Sequence, residues 1–187
     1  MIYHLLDRIN ATNRLPCCED LAELRSRSLT QLRVRMLGGP MEGNTLRLSG
    51  LPELRSCAII GEADLPLHMR IDDASFRGAP QLQSLHLHFD AAFQLQQGAL
   101  AQLTALTSLT LMGCGLRSVP ADVASLGATL CELDLSYNDR LQIDGAAVAS
   151  LLCCSRLATS NLHKSDIDEW QYELDDDVWQ RVEEHIA

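Results

Sequence analysis

Apolar residues recur along this chain in a short fixed frame separated by longer, less regular runs. In LTSLTLMGC, residues 106–114, leucine fills the first, fourth and sixth places, and LCELDLSYN, residues 130–138, repeats that layout 24 residues later with every other residue changed. Aligned on the fourth place, the chain gives six registers at Leu32, Cys57, Leu85, Leu109, Leu133 and Ser160, separated by 25, 28, 24, 24 and 27 residues. Three places upstream stand Leu29, Leu54, Leu82, Leu106, Leu130 and Leu157; two places downstream stand Val34, Ile59, Leu87, Leu111, Leu135 and Leu162. Cys57 and Ser160 are the mild exceptions. Spacing kept while its neighbours change is the mark of a structural constraint.

The physics of that spacing is local. Alternation in x-L-x-L sends leucines one way and the x residues the other, which predicts a strand with one buried face. A coil of 24 to 28 residues cannot bury its leucines alone, so neighbouring coils stack, sharing a continuous core and pairing their strands in a parallel ladder. At about 4.8 Å per strand, six strands make a sheet roughly 24 Å across. A return path longer than the strand splays the coils into an arc with the sheet on its concave side.

This pattern resembles the leucine-rich repeat, L-x-x-L-x-L-x-x-N/C-x-L, with its period of roughly 20 to 29 residues. The resemblance covers about residues 26–167 and implies an α/β solenoid: a short horseshoe with a parallel concave sheet of about six strands and helical caps at both ends. SVPADVASL and LDLSYN resemble the intracellular plant and algal type of repeat. In the family, the ninth place carries an asparagine that bonds loop backbone or a cysteine that fills the space; here it holds Leu37, Glu62, Asp90, Cys114, Asn138 and Ser165. Cys114 and Asn138 match, Asp90 and Ser165 are polar substitutes, and Leu37 and Glu62 depart.

The Gly38-Gly39-Pro40 turn and the long segment EADLPLHMRIDDASFRGAP (62–80) predict irregular convex structure in the first two coils. RSVPADVASLGAT (117–129) reads as a loop with a short helix opened by Pro120, with Val123 and Leu126 facing the core. Ile2, Leu5, Leu6 and Ile9, then Leu21 and Leu24, fall at helical spacing, so residues 1–27 are expected to form an N-terminal helical cap. Residues 28–167 are the repeats. Val178, Val182 and Ile186, behind Asp175 to Asp177, predict an acidic capping helix over 168–187. The acidic run 166–184 is expected to be a solvated cap, with an interaction tail as the alternative, and DIDEWQYELDDD is not a calcium loop because its sixth place is Gln171.

Composition narrows the function. Hydrophobic residues reach 47% but aromatics only 4%, so the core is aliphatic. Twenty-five acidic against 15 basic residues give a net charge of −10, which argues against a binder of nucleic-acid phosphates. The start MIYHLLDRIN is unlike a secretory signal and no long apolar run occurs, so the expectation is a cytoplasmic chain without a membrane span. Seven cysteines without C-x-x-C spacing fit reduced thiols. A monomer, or one part of a larger assembly, is expected.

On the predicted strands the outward residues form three rows: Gln31, Ser56, Ser84, Ser108, Glu132, Thr159; Arg33, Ala58, His86, Thr110, Asp134, Asn161; and Arg35, Ile60, His88, Met112, Ser136, His163. Arginine stands at the first coil, histidine and hydroxyls in the middle, carboxylates at the fifth. A graded surface of this kind selects a partner by complementary potential, and these rows are the candidate partner-binding residues. Ser84, His86 and Asp134 invite comparison with a nucleophile triad, but Asp134 lies two strands from His86, roughly 9 to 10 Å by the ladder spacing, beyond the contact such chemistry needs. His86 and His88 point the same way without an obvious third metal ligand, since His163 is three strands off, and no phosphate-binding glycine loop is present. No catalytic residue, cofactor or metal is expected. The function expected is a non-enzymatic module recognising a protein through its concave face. Two alternatives follow from other repeat proteins: the substrate-recognition part of an F-box-type ubiquitin-ligase receptor, although residues 1–27 lack a convincing F-box pattern, or a GTPase-activating repeat protein acting through Arg33 or Arg35.

Overall fold

A computed structural model describes residues 25–36, 44–61, 69–89 and 93–161, and for residues 35, 36, 44, 93, 159 and 161 the backbone alone. In chain order the elements are β1 (Gln31–Met36), β2 (Asn44–Thr45), β3 (Ser56–Gly61), β4 (Met69–Ile71), β5 (Ser84–His88), β6 (Phe93–Leu95), β7 (Ser108–Met112), α1 (Asp122–Ser125), β8 (Glu132–Asp134), α2 (Gly145–Leu152) and β9 (Thr159–Asn161).

Six of the strands form one parallel sheet in the order β1-β3-β5-β7-β8-β9. Its register sets Leu32 beside Cys57, then Leu85, Leu109, Leu133 and Ser160. These are the fourth-place residues of the repeat, so one ladder line joins the six coils. Strand alternation buries the leucine side: Cys57, Ile59, Leu85, Leu87, Leu109, Leu111 and Leu133 are at most 2% exposed. The leucine three places upstream of each closes the coil floor, with Leu54, Leu82, Leu106 and Leu130 fully buried.

Of the return path expected to be irregular, Gly38-Gly39-Pro40 and residues 62–68 lie outside those described, and the described part at 69–71 is instead regular. A second parallel sheet, β2-β4-β6, lies on the return path, pairing Asn44 with Met69 and Phe93, and Thr45 with Arg70 and Gln94. Met69 and Ile71 are buried and Arg70 between them is exposed, the same alternation as on the larger sheet. The strands are too short, at two or three residues, for the period to stand out in the sequence. Leu46 and Leu48 continue the buried line. The coils approach closely here: a Cβ on Gly78 would lie 2.5 Å from Gly50 N, while Gly78 N donates to Leu48 O at 3.1 Å.

Beyond β6 the return path changes character. Ser118 makes an isolated parallel bridge to Gln142, and α1 follows as the sequence predicts, with Val123 N donating to Pro120 O at 3.0 Å and Val123 and Leu126 buried. Helix α2 was not expected. Asp144 caps it, accepting from Ala147 N at 2.8 Å, and Ala147, Val148 and Leu151 face the core. The expected end caps fall on residues outside those described, except 25–27, which are not helical and are tied to the first coil by Ser26 N to Gly50 O at 3.0 Å. Among the described residues, no helix is long and apolar enough to cross a membrane.

Candidate functional site

The ladder that buries the leucines turns the intervening residues onto one open face. Its middle row runs Arg33, Ala58, His86, Thr110, Asp134, Asn161 across consecutive strands. Arg33 and Glu132 are exposed; Ser56, Ser84, His86, His88, Ser108, Thr110, Met112 and Asp134 are half-buried. Backbone pairing brings Arg35 beside Ile60 and His88 and Asn161 beside Asp134, whereas His163 lies outside the described residues.

Ser136 does not belong to this face. Strand β8 ends at Asp134, and the Asp134 carboxylate accepts from Ser136 N at 2.9 Å, turning the chain inward. Ser136 is 7% exposed and its hydroxyl is buried without a partner among the described residues. An x-L-x-L-x frame assumes a five-residue strand, and this coil supplies three.

His86 stands midway along the middle row, two strands from Arg33 and two from Asp134. Burial, reinforced by His88 and Arg33 against the opposing pull of Asp134, holds its pKa below the ordinary histidine value. The imidazole is therefore neutral at pH 7 and acts as a hydrogen-bonding rather than a charged group. With β7 between them, His86 and Asp134 are not assembled as a base and its orienting acid.

The turns leaving β7 and β8 share one geometry. Gly113 at φ 63° and Tyr137 at φ 60° occupy equivalent places 24 residues apart in the left-handed region. Next to them Asn138, fully buried, donates to Leu111 O at 2.8 Å and Leu135 O at 2.6 Å and accepts from Leu116 N at 3.0 Å. Cys114 is the counterpart; its thiol contacts Leu87 O at 3.6 Å and Met112 O at 3.5 Å, and burial pushes its pKa up to about 12. Tyr137 is a residue that the rows overlooked. It is 67% exposed, and aligning it with Gly113 was the signal that could have found it: a tyrosine where the turn calls for glycine.

Comparison with known proteins bears on the same frame. No family model matches the chain and no solved structure matches it. The chain is 40% identical over 89 residues to the human protein "Volume-regulated anion channel subunit LRRC8E" and 31% identical over 141 residues to the mouse protein of that name. The stacked, leucine-framed coils form a solenoid like that of leucine-rich-repeat proteins. The matches cover 48% and 75% of this chain but only 11% and 17% of the two relatives, so the likeness concerns a repeat stretch within much longer proteins. Both relatives are mammalian, and neither supports the plant and algal type. Asn138 and Cys114 fill the ninth place of their coils, each contacting backbone groups of its own coil and of the coil before.

Proposed function

We propose that this leucine-rich repeat solenoid is a non-enzymatic recognition module that binds a protein through the open, concave face of its six-stranded sheet. The observation carrying this reading is the in-register row from exposed Arg33, through neutral His86 and Thr110, to Asp134, with exposed Glu132 beside it. Apart from Asp134, whose carboxylate holds the turn to Ser136, nothing in the coil fixes these residue types, because their side chains leave the core. Their order makes a face cationic at one end and anionic at the other, which orients a partner of opposite polarity. Tyr137 adds an exposed aromatic near the anionic end, the side-chain type that dominates binding energy at interfaces. The relatives are named as channel subunits, and with that likeness beside the open face we read this chain as a binding part of a larger assembly in the cytoplasm.

The test is site-specific photo-crosslinking in the producing cell, with a benzophenone amino acid placed at Thr110 on the face or at Ala149 on α2. Adducts to a distinct protein from position 110 and not from 149 support the reading. Adducts from 149 alone, or the same adducts from both, place recognition elsewhere.

A further inference from the structure

The smaller sheet ends in an open edge. Gln96 N donates to Ile71 O at 2.8 Å across the β4–β6 ladder. Successive residues of an extended strand direct their N–H and C=O groups to opposite sides, so those of Leu95 point away from β4. Among the described residues no strand pairs with that outer edge. The next coil turns aside: Gln142 N takes the Arg117 carbonyl at 3.0 Å, Ser118 bridges forward to Gln142, and Pro120 has no N–H to offer.

Between the two runs lies a groove of about 590 Å³, lined by Gln94, Leu95 and Gln96 on one side and Leu116, Arg117 and Ser118 on the other. That volume is within the usual range of roughly 300 to 1,000 Å³ for ligand clefts. Asp122 also lines it, but its carboxylate is committed to Gly98 N at 2.7 Å and Leu100 N at 2.9 Å. The exposed Arg117 guanidinium is thus the charge that the lining presents to an occupant.

We propose that this groove takes an extended acidic peptide segment of a partner protein, which adds to β6 as a fourth parallel or antiparallel strand and sets a carboxylate beside Arg117. An open strand edge is a template for another strand, and main-chain bonds to it supply affinity while neighbouring side chains supply selectivity. The site is separate from the concave face and does not depend on the function proposed there.

The experiment uses the full chain, uniformly labelled with nitrogen-15, and two blocked hexapeptides: alternating threonine and glutamate, and alternating threonine and lysine. The glutamate peptide is expected to shift the amides of residues 94–97 and 115–119 and to slow hydrogen exchange at Leu95, with the lysine peptide weaker. Arg117→Glu should weaken the glutamate peptide by about tenfold, the effect of replacing a surface attraction by a repulsion. Leu95→Pro, which removes the outward N–H together with a leucine side chain packed against the core, should abolish binding of both peptides while the amides of the six-stranded sheet keep their positions. Should that variant unfold, Arg117→Glu decides alone. Equal response to both peptides, or no shift at these amides, overturns the proposal. So does a Leu95 amide already protected without peptide, which would mean the chain itself fills the groove, or one protected only as protein concentration rises, which would assign the edge to a second copy.

Discussion

The two walls of the solenoid are built from the same alternation and read very differently. On the larger sheet, strands recur 24 to 28 residues apart and every coil contributes one. On the return wall the first three coils contribute β2, β4 and β6, the fourth a bridge and α1, and the fifth α2. A wall whose strands pair in unbroken sequence must keep one register, and so must its residue spacing. The return wall absorbs each insertion, so coils of different length solve it differently while each still buries apolar side chains such as Leu46, Ile71, Leu100, Val123 and Val148.

If both walls are core, their leucine and isoleucine positions are equally costly to empty. Leu109→Ala and Ile71→Ala, both at fully buried sites, should each destabilise by about 2 to 5 kcal/mol. Thr110→Ala, between two leucines on the open face, should stay within about 0.5 kcal/mol. Urea denaturation gives all three, and an Ile71→Ala as mild as Thr110→Ala would reduce the smaller sheet to a surface ornament.

The two ninth-place turns sharpen the comparison. Asn138→Ala strips partners from Leu116 N, Leu111 O and Leu135 O and should cost about 3 kcal/mol, since buried backbone groups left unsatisfied cost roughly 1 to 3 kcal/mol each and partly relax. Cys114→Ala loses little more than the volume of a thiol and should cost about 1 kcal/mol. Equal melting shifts would show that the asparagine network contributes no more than space filling.

These comparisons show where the sequence was legible. Eighteen positions at fixed offsets reveal the larger sheet because Leu54, Leu82, Leu106 and Leu130 all do one job. The pattern of two or three residues in β2, β4 and β6 is too short to be seen beside ordinary loop sequence. Helix α2 was written in Asp144 followed by GAAVASLL, a cap and a short apolar run masked by the expectation of a fading repeat. The open face was legible as far as β8 runs: Arg33, His86, Thr110 and Asp134 align, but Ser136 does not, because strand length is decided by the Asp134 turn rather than by leucine spacing.

On the return side one ion pair adds a pH dependence. Arg47 bonds both carboxylate oxygens of Asp72 at 2.7 Å, and Asp72 also accepts from Ala74 N at 2.9 Å. The Arg47 hydrogen bonds, against opposition from burial, hold the Asp72 pKa below its ordinary value. A depressed carboxylate stabilises the fold above the unfolded pKa of about 3.9, and that stability is lost as pH falls through the lower folded value. The gap in urea midpoint between wild type and Asp72→Asn should therefore be full at neutral pH and close as pH falls below about 4. A gap independent of pH would show that the carboxylate's charge is irrelevant there.

Smaller still is the effect at Tyr137. A left-handed conformation costs an ordinary residue about 1 to 2 kcal/mol, relieved by glycine at the expense of backbone entropy. Tyr137→Gly should thus raise stability by up to about 1 kcal/mol, as judged by the midpoint of a urea titration. A loss of that size would mean that the tyrosine side chain supports the fold.

The most direct test of the recognition face exchanges its two ends while leaving the fold and the net charge alone. Arg33→Glu combined with Glu132→Lys reverses two exposed side chains, and it spares Asp134, whose carboxylate holds the turn to Ser136. Exposed charges contribute below about 1 kcal/mol to folding, so the melting temperature should barely move. Capture from the producing cell, quantified by mass spectrometry against wild type, should lose a defined partner by about tenfold or more at low salt, and the loss should shrink as salt screens the face. Equal recovery of every captured protein by the two chains, at any salt concentration, would contradict recognition through the polarity of this face.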